Sequence, residues 1–89
     1  MKSRTTRRFR AALAALPDQV RQQAQGAYRL FRDNPYHPGL RFKQVHPVRP
    51  VYSARLSRDY RAVGVREGQD ILWFWIGPHD EYERLVASL

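Results

Sequence analysis

The stretch Ile71-Leu72-Trp73-Phe74-Trp75-Ile76-Gly77-Pro78-His79-Asp80-Glu81-Tyr82-Glu83-Arg84-Leu85 decides how the chain is read. Its first six residues are all apolar, too few to cross a membrane and suited to the most buried strand of a sheet. Gly77 and Pro78 are expected to stop that strand, Gly by permitting unusual dihedrals and Pro by withdrawing a ladder donor. Asp80, Glu81 and Glu83 then crowd the next segment, where carboxylates favour the positive end of a helix dipole. The pattern predicts a buried strand turning sharply into a helix over 79–88, with His79 held rigidly on the turn. Trp73 and Trp75 lie two apart and are expected to share one sheet face, mostly as core.

Outward from this stretch, Val51–Leu56 and Asp59–Arg66 read as strands joined by Ser57-Arg58, a connection of hairpin length. Glu67-Gly68-Gln69-Asp70 is the next turn, so Val51–Ile76 is expected to form a three-stranded antiparallel meander. Leu40–His46 alternates and predicts another short strand, inside a segment punctuated by Pro35, Pro38, Pro47 and Pro50. Further upstream, Phe9, Leu13 and Leu16, with Ala12 between, recur at the helix period, and Thr5 or Thr6 can cap that helix. Pro17 ends it and opens a second helix running to about Asp33, whose stripe is Val20, Ala24, Ala27, Tyr28 and Phe31. Met1–Arg4 is expected to be a short edge strand or a frayed start. The order α-α-β-β-β-β-α predicts an α+β fold: an N-terminal helical hairpin packed on a small antiparallel sheet, closed by a short C-terminal helix.

With 89 residues the chain has material for one domain, 1–89. At this size only roughly 60–65% of the unfolded surface can be buried, so the Trp and Phe residues must supply much of a thin core. There is no Cys, which excludes disulfides and thiolate metal sites and makes a reducing cytoplasm the expected location. No signal peptide or membrane span is visible, and no membrane association is expected. Sixteen Lys and Arg against eight Asp and Glu give a net charge of +8, and Lys occurs only at Lys2 and Lys43. An Arg excess of this kind points to a polyanion, most often nucleic acid, or to an acidic protein partner. The alternative is a solvated basic surface.

His37, His46 and His79 lack metal-ligand spacing, and no nucleophile triad, P-loop or dinucleotide fingerprint is present. Arg, His and Tyr remain, and they suffice for one reaction: RNA cleavage by the neighbouring 2′-hydroxyl without a metal or cofactor. That reaction needs a proton acceptor, a cation beside the phosphorane oxygens and a proton donor for the leaving oxygen. His79 can act as acid or base near neutral pH, Arg55 and Arg61 can stabilise the transition-state charge, and Tyr82 can orient the imidazole or relay a proton.

Tyr52-Ser53-Ala54-Arg55-Leu56, Tyr60-Arg61-Ala62-Val63 and Ile76-Gly77-Pro78-His79-Asp80-Glu81-Tyr82 resemble the RelE/ParE superfamily of type II toxins. Within it, the chain is similar to the subgroup with a W-I-G-x-H-x-x-Y-x-x-L tail. The likeness reaches back to Phe31-Arg32-Asp33-Asn34-Pro35 and Pro38-Gly39-Leu40-Arg41-Phe42-Lys43. The resemblance implies a RelE-like fold and a ribonuclease that cuts messenger RNA on the ribosome and is neutralised by a cognate antitoxin. It assigns the scissile phosphate to Arg61, a second cation to Arg55, proton transfer to His79 and the tail position to Tyr82. Arg41, Lys43 and Arg58 are expected to bind RNA, with further contacts to ribosomal RNA. Many members carry Lys where this chain has Ser53 or Arg55, which removes one candidate base. Other members act on DNA gyrase and lack nuclease residues, so a gyrase inhibitor and an inactive RNA- or antitoxin-binding module stay open beside the nuclease.

Overall fold

The computed structural model describes residues 1–89. The chain opens with strand β1 (Lys2–Thr5), followed by helices α1 (Arg7–Ala14) and α2 (Asp18–Asp33). After a 3-10 turn at Pro38–Leu40 come β2 (Lys43–Gln44), β3 (Val51–Ser57), β4 (Tyr60–Glu67), β5 (Asp70–Pro78) and α3 (His79–Ser88). The five strands form one sheet in the order β1-β5-β4-β3-β2. β3, β4 and β5 are the expected antiparallel meander. β1 joins parallel to β5, Lys2 opposite Asp70 and Thr5 opposite Trp73, so the sheet is mixed and not purely antiparallel. No helix is long and apolar enough to cross a membrane.

Helix ends follow local chemistry. The Thr6 side chain accepts a hydrogen bond from the Phe9 N–H and caps α1, and Pro17 is the N-cap of α2 with Asp18 in its first turn. α1 lies on β5 and α2 on β3. Together they cover one sheet face, where Phe9, Ala27, Phe31, Leu40, Ala54, Ala62, Ile71, Trp73 and Ile76 form the main core. Phe31 meets Trp73 edge-on at 5.4 Å, a favoured aromatic geometry. The Trp73 indole N–H donates to Ser3 Oγ at 3.2 Å, which satisfies the buried donor and ties β1 to β5. Small side chains (Ala24, Ala27, Ala54, Ala62) leave an open cleft of about 540 Å³ between the helices and the sheet. Tyr28 sits at its rim, about half exposed, and does not join the buried stripe.

The opposite face is smaller. α3 packs there against β5 and β4, burying Val51, Val63 and Tyr82 together with Val45, Phe74, Trp75, Leu85 and Val86.

Four local expectations change. The strand predicted over Leu40–His46 shrinks to Lys43–Gln44, because Arg41 adopts a left-handed conformation (φ 46°) that breaks the extended chain just before it. β5 runs through Gly77 and Pro78, which pair with Arg61 and Tyr60. Pro78 does not stop the strand but is also the N-cap of α3, so its missing N–H interrupts little. The connection between β3 and β4 is Arg58-Asp59, one residue later than predicted.

Trp73 and Trp75 do not share a face. Val63 pairs with Trp75 but the next residue, Gly64, pairs with Trp73, so Phe74 is an extra residue in a β-bulge. One inserted residue reverses the alternation: Trp73 goes to the main core and Trp75 to the α3 side. Gly64 makes this register fit. A Cβ there would lie 2.9 Å from the Leu72 carbonyl oxygen and 2.9 Å from the Trp73 ring.

Candidate functional site

A second bulge builds the site. Ser57 pairs with Tyr60, yet Arg55 pairs with Arg61, so Leu56 is the extra residue. Regular pairing outward from Ser57 and Tyr60 would set Arg55 opposite Ala62 and send Arg55 and Arg61 to opposite faces. The bulge instead puts them directly opposite one another on one face. Ala62, next to Arg61, is buried in the core under the helical hairpin, and Val63 faces α3. By strand alternation, Arg61 and Arg55 therefore project on the α3 side.

Arg61 is folded back on the hairpin turn. Its Nη1 donates to the carbonyl oxygens of Ser57 (2.7 Å), Tyr60 (2.9 Å) and Arg58 (3.2 Å). Burial pushes its pKa down from the usual guanidinium range, and the neighbouring charges of Arg55 and Arg41 push the same way; Tyr82 and Asp59 act against them. The group stays cationic at any physiological pH. The structure thus gathers Arg41, Arg55 and Arg61 into one local field that an anion would relieve.

His79 is the first residue of α3. Its backbone N–H donates to the Asp59 carbonyl at 2.7 Å, so the helix start is fastened to the same β3–β4 turn that Arg61 grips. The His79 imidazole is about half exposed, with Nε2 3.4 Å from Glu83 Oε1 one turn further along the helix. Its ring centroid lies 5.9 Å from that of Tyr82, with the planes tilted by 38°. Tyr82 is buried, and its hydroxyl donates to Ser53 Oγ at 3.0 Å.

Of the residues expected to bind RNA, Lys43 sits opposite Ser53 in the β2–β3 ladder, so both lie on the α3 side of the sheet. Arg58 is exposed in the turn itself, and Arg41 is near enough for its charge to act on Arg61. His37 and His46 cap local turns: their Nδ1 atoms accept from the Gly39 N–H and from the Val48 and Arg49 N–H groups. Among Lys and Arg, only Arg4 and Arg21 form ion pairs, with Asp70 and Asp18. Most of the positive charge therefore faces solvent unpaired.

Sequence reasoning placed Glu83 only among the helix-start carboxylates and gave Ser53 no role at the site. Glu83 was within reach of it, since a carboxylate four residues after a helical His lies on the same side. Ser53 was not, because its partner is on another element.

A family of sequences described as the ParE-like toxin domain matches residues 18–84. Among curated proteins no sequence match was found. Among solved structures, the fold is similar to that in the RelB-RelE antitoxin-toxin complex from Methanococcus jannaschii (TM-score 0.73, 13% identity, covering 92% of this chain and 96% of that one). It is likewise similar to the YoeB/ParE toxin from Agrobacterium tumefaciens (TM-score 0.67, 14% identity, covering 89% and 99%). The isolated RelE toxin of E. coli also matches (TM-score 0.64, 17% identity, covering 99% and 98%).

Proposed function

The chain belongs to the family of ParE-like toxin domains, within the RelE/ParE toxins of toxin–antitoxin systems, and on that premise we propose that it is an endoribonuclease that cuts messenger RNA on the ribosome. The observation that carries this reading is the convergence of Arg61 and His79 on one turn, on the face where Arg55 stands opposite Arg61. A phosphodiester laid across the turn would meet two guanidiniums and an imidazole.

In this reading the 2′-hydroxyl attacks the adjacent phosphorus and the bond to the 5′-oxygen breaks, leaving a 2′,3′-cyclic phosphate. Arg61, held by three carbonyls, would present its remaining N–H groups to the phosphorane oxygens. Arg55 adds charge stabilisation to the same oxygens. His79 takes the proton from the 2′-hydroxyl or gives one to the leaving 5′-oxygen, and water serves the other transfer. Tyr82, its hydroxyl engaged inside the fold, supports the imidazole instead of reaching the substrate. Arg41, Lys43 and Arg58 hold flanking phosphates, and no cofactor is required.

The partner is a cognate antitoxin. The M. jannaschii structure is an antitoxin–toxin complex, and a chain of net charge +8 favours an acidic segment. Cytoplasmic action follows from a ribosomal target.

The test is to map messenger RNA 5′ ends after induction, in wild type beside His79→Ala and Arg61→Ala. New ends inside reading frames, lost in both variants together with growth arrest, are expected. Unchanged messenger ends with relaxed or cleaved plasmid DNA would replace this reading by gyrase inhibition.

A further inference from the structure

Ser53 is 2% exposed in the middle of β3, and it receives the only side-chain hydrogen bond between α3 and the sheet, the 3.0 Å bond from the Tyr82 hydroxyl. Beside it, α3 packs on the sheet through an apolar cluster with Val51, Val63, Phe74 and Trp75. Apolar packing is non-directional and lets a short helix roll or slide; a buried hydrogen bond to one fixed oxygen does not. Tyr82 is three residues after His79, on the same side of α3, with their ring centroids 5.9 Å apart. The backbone bond from His79 to Asp59 tethers the helix at its first residue, and a single tether at one end does not by itself set a helix's rotation about its axis.

We propose that Ser53 is a positioning residue for His79: by fixing the Tyr82 hydroxyl it sets the rotation of α3, and so the direction in which the imidazole is presented beside Arg61. Ser suits the role because its hydroxyl is short. A longer side chain between Lys43 and Val63 in that row of the sheet would lift the phenol ring off the strand. The effect on cleavage rests on the nuclease reading above; the effect on the geometry of His79 does not.

The experiment compares Ser53→Ala, Tyr82→Phe and the double variant, using the purified chain on messenger-programmed ribosomes. Each single variant leaves one buried hydroxyl without its partner and melts lower, whereas the double variant removes both and regains much of its melting temperature. All three are expected to lose kcat by about ten- to a hundredfold, the scale of a misplacement near 1 Å, with KM unchanged. In parallel, NMR follows the His79 imidazole resonances and the exchange of its backbone amide. Both should change in all three variants while the amides of Val51 and Val63 stay protected.

Wild-type turnover in Ser53→Ala, or turnover that returns in the double variant along with its stability, overturns the proposal. So do unchanged His79 resonances in Ser53→Ala. If the wild-type chain cuts no RNA, the nuclease reading fails and the resonances alone decide: a change supports Ser53 as the anchor, and none overturns it.

Discussion

Arg61 and His79 hold the same turn from two sides: the Arg61 guanidinium takes the carbonyls of Ser57, Arg58 and Tyr60, and the His79 backbone N–H takes the one between, Asp59. All four turn carbonyls are thereby committed, and each of the two residues is registered against the other through shared backbone.

That arrangement depends on the reach of one guanidinium nitrogen, Nη1, which makes all three carbonyl contacts. Arg61→Lys keeps the charge, but its nitrogen sits one bond nearer the backbone than Nη1, on a flexible stem, so it holds the three carbonyls less firmly. The turn should loosen by about 1 kcal/mol, the net scale of one hydrogen bond. Hydrogen exchange should show the His79 amide opening about fivefold more often. On the nuclease reading, cell-free translation should be inhibited far less than by wild type, nearly as little as by Arg61→Ala.

The Arg55–Arg61 pair carries an energetic cost. Like charges directly opposite in an antiparallel ladder are destabilising, and burial of Arg61 sharpens the effect. Arg55 makes no side-chain hydrogen bond that its removal would forfeit. Arg55→Gln should therefore stabilise the fold by about 0.5 kcal/mol, raising Tm by about 2–4 °C, while weakening toxicity. Thermal melts at low salt and near 1 M salt check it, because screening should close the gap between variant and wild type.

Gly64→Ala tests the bulge at Phe74. The added Cβ would sit within 3.0 Å of Ile71 Cγ1 and closer still to the Leu72 carbonyl and the Trp73 ring. Backbone cannot give way as a flexible side chain can, so the fold should lose about 1–3 kcal/mol, the usual range for overpacking. Urea unfolding with an unchanged m-value is the expected signature.

Arg41, Lys43 and Arg58 can be separated from the proposed reacting groups, Arg61 and His79, by salt dependence. If each neutralises one phosphate, alanine at that position should lower the slope of log K against log salt by about 1 unit, without changing base preference. Binding of a short RNA across a salt series measures this.

Much of the fold could be read from residue order. Thr6, Pro17, Asp18 and the acidic run after Pro78 mark helix starts through chemistry that acts within one turn. The hairpin-length spacing between Val51–Leu56 and Asp59–Arg66 and the apolar run from Ile71 mark strands in the same local way. Three features lay beyond such rules. β1 is a polar tetrad, Lys-Ser-Arg-Thr, whose only partner strand is β5, far along the chain. β2 is cut short by a left-handed Arg41, a residue type that rarely takes that conformation. The two bulges are single-residue events, and a period of two continues to look regular on either side of them.

The bulges limited the reading of the site more than that of the fold. His79 and Arg61 could be singled out by residue type, but simple alternation across the hairpin would have set Arg55 and Arg61 on different faces. Their meeting depends on Leu56 being left out of the ladder. Ser53 carries no local signal of its own, and its bond to Tyr82 emerges only in three dimensions.

The attachment of β1 to β5 also has a consequence for biosynthesis. Seventy positions separate Ser3 from the Trp73 indole it receives, so during vectorial synthesis the opening strand waits without its partner while both hairpin helices emerge. Such long-range closure is slow compared with hairpin formation. The β3–β4 turn can form on the nascent chain, but β5 and α3, which bring His79 to it, are made after it. The turn and the helix start that holds it are thereby brought together late, His79 arriving when most of the polypeptide has already been made.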